Sequence, residues 1–395
     1  MKMKILLFFG IGIAVWLLHP YFLPATKPQP PDPKRVLART LTPEEQRQRD
    51  LTLLSVQASQ ASYKLPDLRV FRDVKDYVGD FRTFQALIPA GYVVFGADAD
   101  IESGLKYVIF KPVTPDHPWV LAFTGTSGLI DVLSDVGLGS SQFEQLKGMI
   151  QIFSKLPGFS NAELLVTGHS LGGGLAQAAA HEIQRERDAQ RNPARVILRT
   201  WNAFGAQELI QRVCTKCDPG LLARLDAANY FIQGDAVSRV GTHFGPTYEM
   251  IAPNASAHAR DLHYLHSLDT IQAHVDRIID MQSRVVKPKL PLRERLLAKI
   301  TEVADVIART CNFVIHGFRQ LRIVQEEMAI FAKIQEADFQ EPARAEALRY
   351  LYNVGMREQI RLSKSIDPDR RAYGVALAGQ LQRIQPWLGS VKSGP

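Results

Sequence analysis

Residues 164–174 read LLVTGHSLGGG, and this stretch decides the fold of the chain. Its first residues are apolar and predict a strand, whereas the Ala- and Gln-rich segment at residues 171–187 predicts a helix. A turn of the form Gly-x-Ser-x-Gly joins the two elements at residues 168–172. Strand, tight turn and helix in this order are typical of a sheet flanked by helices.

Ser170 stands at the centre of this turn. A serine at so tight a turn has an exposed hydroxyl, and side chains beside it would collide, which explains a glycine on both sides. The N-terminus of the following helix favours developing negative charge. We predict that Ser170 is a nucleophile, and a glycine-rich turn with a helix-capping serine is the simpler alternative.

Further elements follow from apolar runs and turn signals on either side. Thr42 and Glu45 form a capping-box pattern around Pro43, which predicts a helix that extends to about Tyr63. Strands are predicted at residues 91–95, 106–110, 119–123, 163–167, 196–201 and 229–233, and a further helix at residues 143–156. This alternation favours an α/β fold with a mostly parallel sheet and helices on both faces.

The N-terminal residues have the pattern of a targeting segment. Lys2 and Lys4 precede an uncharged run at residues 5–18, which reaches a marginal length for a membrane span if it continues to residue 23. We expect residues 1–23 to be a signal anchor or a signal peptide, and the anchor is favoured because no small-x-small cleavage motif stands out. Residues 24–41 are expected to be a Pro-rich linker. The body is therefore expected to be exported, as a membrane-anchored, periplasmic or secreted protein.

The positive charge of the chain is concentrated at its C-terminus. The net charge is +7, and residues 284–395 contain 19 Lys and Arg against 12 Asp and Glu, so that the preceding residues are neutral. Helical spacing of apolar residues, broken at Pro342 and Pro368, predicts three helices there. This basic helical region predicts binding to an anionic lipid surface, and a solvated helical face is the alternative. Nucleic acid is not expected as a partner, since no clear aromatic or glycine interleaving accompanies the arginines.

The chain contains three cysteines. Cys214 and Cys217 form a single C-x-x-C pair, which is weak evidence for zinc without a second pair of ligands. A local disulfide and two free thiols both fit this pair. Cys311 falls in an apolar helical pattern and is predicted to be a core residue. We expect neither a metal nor an organic cofactor.

Four ordered motifs between residues 42 and 269 are VLAFTGT at residues 120–126, GHSLGG at 168–173, WNAFGA at 201–206 and YFIQGDAVSRV at 230–240. Together they resemble the class 3 lipases, which are fungal-lipase-like α/β-hydrolases. Thr124 stands where the family usually has arginine, and the proline of the family's F-G-x-P pattern is missing after Gly205. The resemblance implies an α/β-hydrolase domain over residues 42–283, preceded by the targeting segment and followed by the helical C-terminal region.

The resemblance also implies roles for individual residues. Ser170 is the nucleophile, and Asp235 orients the base. The backbone N–H groups of Thr126 and Leu171 form the oxyanion hole. The base lies beyond Asp235 in the chain, and His266 is preferred because HSLDTI at residues 266–271 resembles the start of the family's terminal helix. The other histidines beyond the acid are His243, His258, His263, His274 and His316, of which His263 is the next choice.

Residues 128–136, GLIDVLSDV, occupy the position of the family's lid, directly after the oxyanion turn. Their apolar side chains are expected to cover the site in water and to open against a lipid surface. An ordinary buried helix is the alternative. Asp131 or Asp135 is expected to hold the oxyanion turn by hydrogen bonding.

Together with the targeting segment and the basic C-terminus, the resemblance implies a lipase or phospholipase. Such an enzyme hydrolyses carboxylic esters of lipids at a membrane surface through a Ser-His-Asp triad. Two other functions stay open. One is an esterase or thioesterase that acts on a non-lipid substrate, because a fold does not determine its substrate. The other is a non-catalytic membrane scaffold.

Overall fold

The computed structural model describes most of the chain between residues 41 and 389. The described residues are 41–66, 74–99, 105–125, 139–156, 158–207, 210, 221, 225–232, 235, 237–239, 241–250, 262–278, 330–364 and 368–389. The expected targeting segment, the lid position at residues 128–136 and all three cysteines lie outside these ranges. Within them, no helix is both long and apolar enough to cross a membrane, and no three His, Cys, Asp or Glu side chains cluster as a metal site would require.

The core of the molecule is a sheet of seven strands whose spatial order equals their order in the chain. The first two pairings are antiparallel and the remaining four are parallel. The predicted α/β class is confirmed, with a mixed sheet. The strands are β1 Tyr92–Ala99, β2 Lys106–Pro112, β3 Trp119–Phe123, β4 Leu164–His169, β5 Val196–Trp201, β6 Asp226–Ile232 and β7 Thr247–Met250.

Helices cover both faces of this sheet. They are α1 Pro43–Tyr63, α2 Val74–Ala86, α3 Gly139–Phe153, α4 Leu171–Ala189, α5 Leu262–His266, α6 Leu268–Ile278, α7 Pro342–Ser363 and α8 Pro368–Ile384. In β3, Val120 and Ala122 pack in the cluster that contains α1, whereas Leu121 and Phe123 pack in the cluster that contains α3 and α4. Alternate residues of the strand are therefore buried on opposite faces, as expected for a central parallel strand.

The parallel register brings the carboxyl ends of the central strands to one edge of the sheet. Phe123 at the end of β3 pairs with Gly168 of β4, and Trp201 at the end of β5 pairs with both His169 and Tyr230. Loops that leave parallel strands at this edge are the usual place for a binding site in α/β proteins. The turn that contains Ser170 is one of these loops.

Helix α1 begins where its capping pattern predicts. The Thr42 hydroxyl accepts a hydrogen bond from the Glu45 backbone, the Glu45 side chain accepts one from the Thr42 backbone, and Pro43 is the first helical residue. Such a cap satisfies backbone donors that the first helical turn leaves unpaired. The helix then crosses β3, β4 and β5, and its C-terminal residue, Tyr63, reaches the edge that carries Ser170.

The C-terminal helices α7 and α8 pack on the same core as the sheet. Leu348 and Leu351 of α7 share one apolar cluster with Phe81 and Phe84 of α2 and with Val120 of β3. Burial of this kind contributes roughly 25 cal/mol for each Å² of apolar surface removed from water. Residues 330–384 thus contribute directly to the core, and helices begin at both predicted breaks, Pro342 and Pro368.

Helix α2 and strand β7 are among the elements that were not anticipated from the sequence. Helix α2 contains the buried residues Tyr77, Phe81 and Phe84, whose spacing is helical although charged residues separate them. Strand β7 contains only four residues, of which the first and the last are buried, and it pairs with β6 at the edge of the sheet. A strand this short has too few residues for its period to be recognised.

Candidate active site

The backbone at Ser170 is held in a strained turn. Its φ of 58° and ψ of −128° lie in a region that side-chain-bearing residues rarely adopt, at a typical cost of about 1–3 kcal/mol. The Ser170 N–H donates to the Trp201 carbonyl at 3.0 Å, and the Gly173 N–H donates to the Ser170 carbonyl at 3.0 Å. Neighbouring backbone therefore enforces the strain. The side chain is 1% exposed, and its Oγ has no hydrogen-bond partner among the described residues.

The glycines of the motif allow helix α4 to approach the strand ends. A Cβ on Gly168 would lie 2.2 Å from the Gly172 carbonyl oxygen, and one on Gly172 would lie 2.4 Å from that of Phe123. A Cβ on Gly173 would lie 2.3 Å from the Cβ of Ala203. These distances are far below van der Waals contact, so each position requires glycine. Leu171 follows Ser170 and begins α4, so its N–H is among those without an intrahelical acceptor.

Asp235 and His266 are brought together although 31 residues separate them. The His266 Nδ1 lies 2.9 Å from the Asp235 Oδ1, and the two residues are 9% and 1% exposed. An ionised carboxylate only accepts hydrogen bonds, so the shared proton is on Nδ1, and in the neutral ring Nε2 then keeps its lone pair. This is the tautomer that a general base needs.

The Asp235 carboxylate is fixed by the start of a short 3₁₀ helix, Val237–Arg239. Its Oδ2 accepts from the Ser238 backbone N–H at 3.1 Å and from the Ser238 hydroxyl, and its Oδ1 accepts from the Val237 N–H at 3.4 Å. Each donor restricts the position of the buried carboxylate. The carboxylate is thereby oriented towards His266.

The other histidines considered as the base have different positions. The His243 Nε2 lies 2.9 Å from the Ser238 carbonyl oxygen, on the loop that follows the acid. His263 and His274 belong to helices α5 and α6, but their side chains lie outside the described residues, as do His258 and His316 entirely. Among the described contacts, His266 is the histidine that bonds to Asp235.

Three side chains around His266 were not singled out from the sequence: His169 and Asn202, which are buried, and Tyr63, which is partly buried. The His169 Nε2 lies 2.6 Å from the His266 carbonyl oxygen, and the Tyr63 hydroxyl lies 2.9 Å from the His169 Nδ1. The Asn202 Nδ2 donates to the Leu265 carbonyl at 2.9 Å. His169 belongs to the motif at residues 168–173 and Asn202 to the motif at residues 201–206, whereas Tyr63 ends α1. Membership of these motifs does not indicate contacts around His266, because the hydrogen bonds join residues far apart in the chain.

Burial determines the charge state of His169. Its pKa lies well below the usual value, chiefly because burial removes solvation from the charged form and also because a charge on His266 repels it. Burial also raises the pKa of Tyr63, so its hydroxyl stays protonated. A neutral His169 that donates through Nε2 must accept through Nδ1, which makes the Tyr63 hydroxyl the donor.

The turn after β3 contacts the turn that contains Ser170. A Cβ on Gly125 would lie 2.4 Å from the Tyr63 hydroxyl oxygen and 3.2 Å from the Ser170 Cβ. Thr124, which replaces the family's arginine, donates its hydroxyl hydrogen to the Ser62 carbonyl at 2.8 Å. Thr124 thus joins the end of β3 to the end of α1. Thr126, the predicted oxyanion residue, follows Gly125 but lies outside the described residues.

One family model matches part of this chain. The family model described as Lipase (class 3) matches residues 126–200. Residues 126–200 are thus similar to the class 3 lipase family. The matched segment runs from Thr126 through Ser170 into β5, whereas Asp235 and His266 lie beyond it. The resemblance predicted from the motifs is confirmed, and the reaction class it supports is ester hydrolysis.

Several solved lipase structures are similar to the chain. A mutant form of MDLA from Penicillium cyclopium is 20% identical and covers 54% of this chain and 83% of its own, with a TM-score of 0.38. The triacylglyceride lipase of Rhizomucor miehei is 12% identical, with coverages of 55% and 84% and a TM-score of 0.37. The mono- and diacylglycerol lipase of Aspergillus oryzae is 17% identical, with coverages of 52% and 81% and a TM-score of 0.34. No curated protein sequence matches the chain significantly.

Proposed function

We propose that this protein is a serine hydrolase that cleaves carboxylic esters of lipids, as a lipase or phospholipase, through Ser170, His266 and Asp235. The observation that carries the proposal is the buried hydrogen bond between Asp235 and His266. It lies at the same edge of the sheet as the strained turn at Ser170, whose hydroxyl has no hydrogen-bond partner among the described residues. A nucleophile, a base and an acid that orients the base are the parts that acyl transfer requires.

In the proposed reaction, the His266 Nε2 takes the Ser170 proton as Oγ attacks the ester carbonyl carbon. The resulting oxyanion accepts hydrogen bonds from the N–H groups of Leu171 and Thr126, each worth about 3–4 kcal/mol on the barrier. His266 then protonates the leaving alcohol, and water repeats the sequence on the acyl-enzyme. The Ser170–His266 hydrogen bond is expected to form when substrate binds, because such bonds are often loose in the free enzyme.

A lipid substrate is supported by the class 3 lipase match over residues 126–200 and by the apolar segment at residues 128–136, which we propose to be a lid. We further propose that the protein is exported and acts at a membrane, with residues 1–23 as the targeting or anchoring segment. The basic region, residues 284–395, is the proposed contact with anionic lipid.

The reaction is tested with the purified full chain and a fluorophosphonate probe, followed by assays of defined substrates. Probe labelling that Ser170→Ala abolishes, with release of fatty acid from phospholipid vesicles or triacylglycerol emulsions, is the expected result. Labelling with turnover of soluble esters or acyl thioesters alone would favour the esterase or thioesterase alternative. A folded chain that neither labels nor turns over any of these substrates would leave the scaffold alternative.

The membrane contact needs a separate test, because deletion of the C-terminus would expose the core that α7 and α8 cover. Binding of the full chain is instead measured on anionic and zwitterionic vesicles at several salt concentrations. Electrostatic binding falls with ionic strength, and each basic residue near an anionic surface contributes about 1 kcal/mol. Equal, salt-independent binding to both vesicles would reject the basic region as the contact.

A further inference from the structure

Two adjacent backbone carbonyl groups at the end of helix α5 accept hydrogen bonds from side chains at the ends of two strands. The Leu265 carbonyl accepts from the Asn202 Nδ2 at 2.9 Å, and the His266 carbonyl lies 2.6 Å from the His169 Nε2. Carbonyls at the C-terminus of a helix lack intrahelical donors, and water or a following glycine usually satisfies them. Here the donors are buried side chains that begin at the carboxyl ends of β4 and β5.

Asn202 is held firmly on both sides. Its φ of 42° lies in the left-handed region, which asparagine tolerates better than most residues. Its backbone N–H donates to the Tyr230 carbonyl, and its Oδ1 accepts from the Ile232 N–H, both at 2.8 Å. The amide that donates to Leu265 is therefore attached to two strands of the sheet and has no freedom to move away.

His169 is equally constrained. Tyr63 from α1 donates to its Nδ1, and its ring centroid lies 4.7 Å from that of His266. His169 is buried, and burial keeps its ring uncharged. An uncharged His169 does not repel the positive charge that His266 gains when it takes up a proton. Tyr63 selects the tautomer in which Nε2 carries the hydrogen that bonds to the His266 backbone.

We propose that His169 and Asn202 are positioning residues that fix the backbone on either side of the His266 Cα, and that Tyr63 acts through His169. This inference rests on the proposed function, in which His266 is the base. A ring attached to a fixed backbone, with Nδ1 bonded to Asp235, can move little, so its Nε2 is held in one orientation. Small displacements of such a base reduce turnover strongly, because proton transfer depends on hydrogen-bond geometry.

The experiment compares His169→Leu with His169→Gln, since the Gln amide can place a donor near the position of the His169 Nε2. Fluorophosphonate titration counts competent sites, so kcat is expressed per active site. His169→Leu is expected to lower kcat at least tenfold with KM unchanged, and His169→Gln to recover most of the loss. Asn202→Asp, which keeps the shape but removes the donor to Leu265, is expected to resemble His169→Leu. A purely structural role predicts lower thermal stability with kcat per site unchanged.

Tyr63→Phe has a matched control in Tyr92→Phe. The Tyr92 hydroxyl also donates to a backbone carbonyl, that of Pro118 at 3.1 Å, but away from the site. Tyr63→Phe is expected to lower kcat by a smaller factor than His169→Leu, and Tyr92→Phe to leave it unchanged. Equal kcat values in the two variants would remove Tyr63 from the proposal.

A second measurement does not depend on hydrolysis. The His266 Nδ1 proton shared with Asp235 is expected to give a far-downfield NMR signal in the wild type and in His169→Gln, and to broaden or vanish in His169→Leu. A wild type that shows the signal without Ser170 labelling would reject the proposed function and leave the positioning inference standing. The signal unchanged in His169→Leu, or its absence from the wild type, would overturn the inference.

Discussion

The two halves of the proposed site are stabilised in different ways. The nucleophile half, residues 164–174, is one continuous strand–turn–helix segment whose glycines pack directly against neighbouring backbone. The acid–base half, residues 235–238 and 262–266, is assembled from two segments by side-chain hydrogen bonds. A strained turn is thus determined by residues close together in the sequence, whereas the position of a base depends on contacts with residues far away in the chain.

The largest effect is expected at the chemical centre of the nucleophile half. Ser170→Ala should reduce ester hydrolysis by several powers of ten, because the attacking oxygen is lost. Its unfolding midpoint should stay near that of the wild type, since the Ser170 Oγ has no described hydrogen bond to lose. Kinetic assays and urea unfolding measure the two quantities. Ser154→Ala, just after the end of α3 and away from the site, is the control. Residual activity above a few per cent in Ser170→Ala would reject Ser170 as the nucleophile.

The next largest effect tests the acid–base half. His266→Gln should lower kcat by orders of magnitude, because Ser170 then lacks a proton acceptor. His243→Gln and His263→Gln serve as matched controls and should retain most activity, since the His243 ring bonds to the Ser238 carbonyl rather than to Asp235. Steady-state assays of all three variants separate the candidates. Full activity in His266→Gln with loss in His263→Gln would transfer the role of base to His263.

A pair of glycine substitutions contrasts backbone packing in the nucleophile half with an open helix surface. Gly172→Ala should destabilise the protein by at least about 2 kcal/mol, because its Cβ would lie 2.4 Å from the Phe123 carbonyl oxygen. Gly148→Ala on α3 has no neighbouring heavy atom within 4 Å, and should stabilise by about 0.5–1 kcal/mol. Urea unfolding midpoints measure both. Equal midpoints would show that α4 can shift away from β3.

The smallest effect concerns His169, which links the two halves. Its folded-state pKa is depressed, so below about pH 6.5 the unfolded chain binds a proton that the native chain does not. The contribution of His169 to the free energy of unfolding is therefore fully present above that pH. It falls on acidification by at most about 1.4 kcal/mol per pH unit. Urea unfolding at several pH values should show a shallower acid loss in His169→Gln than in the wild type. If the free energies of unfolding of the two proteins changed equally with pH, His169 would be protonated in the native state as readily as in the unfolded chain.

Much of the fold could be predicted from the sequence because its signals are local. The capping box at Thr42 and the strand runs at β3 and β5 correspond to observed elements within one or two residues. Strand β7 could not be predicted, since its pairing with β6 determines its structure more than its four residues do. The packing of α7 against α2 could not be predicted from the sequence either. Amphipathic spacing indicates that one face of a helix is buried, but it does not indicate which element covers that face.

For the site, the sequence by itself determined the position of Ser170 between a strand and a helix, because glycine spacing and apolar alternation act over a few residues. Chain order and a family resemblance limited the acid and base to Asp235 and a short list of histidines. Only the tertiary structure decided that His266 bonds to Asp235 and that Tyr63, His169 and Asn202 surround it. The physical reason is that these hydrogen bonds join residues 31 to 106 positions apart, and their geometry exists only when the strand ends and α1 are packed at one edge of the sheet.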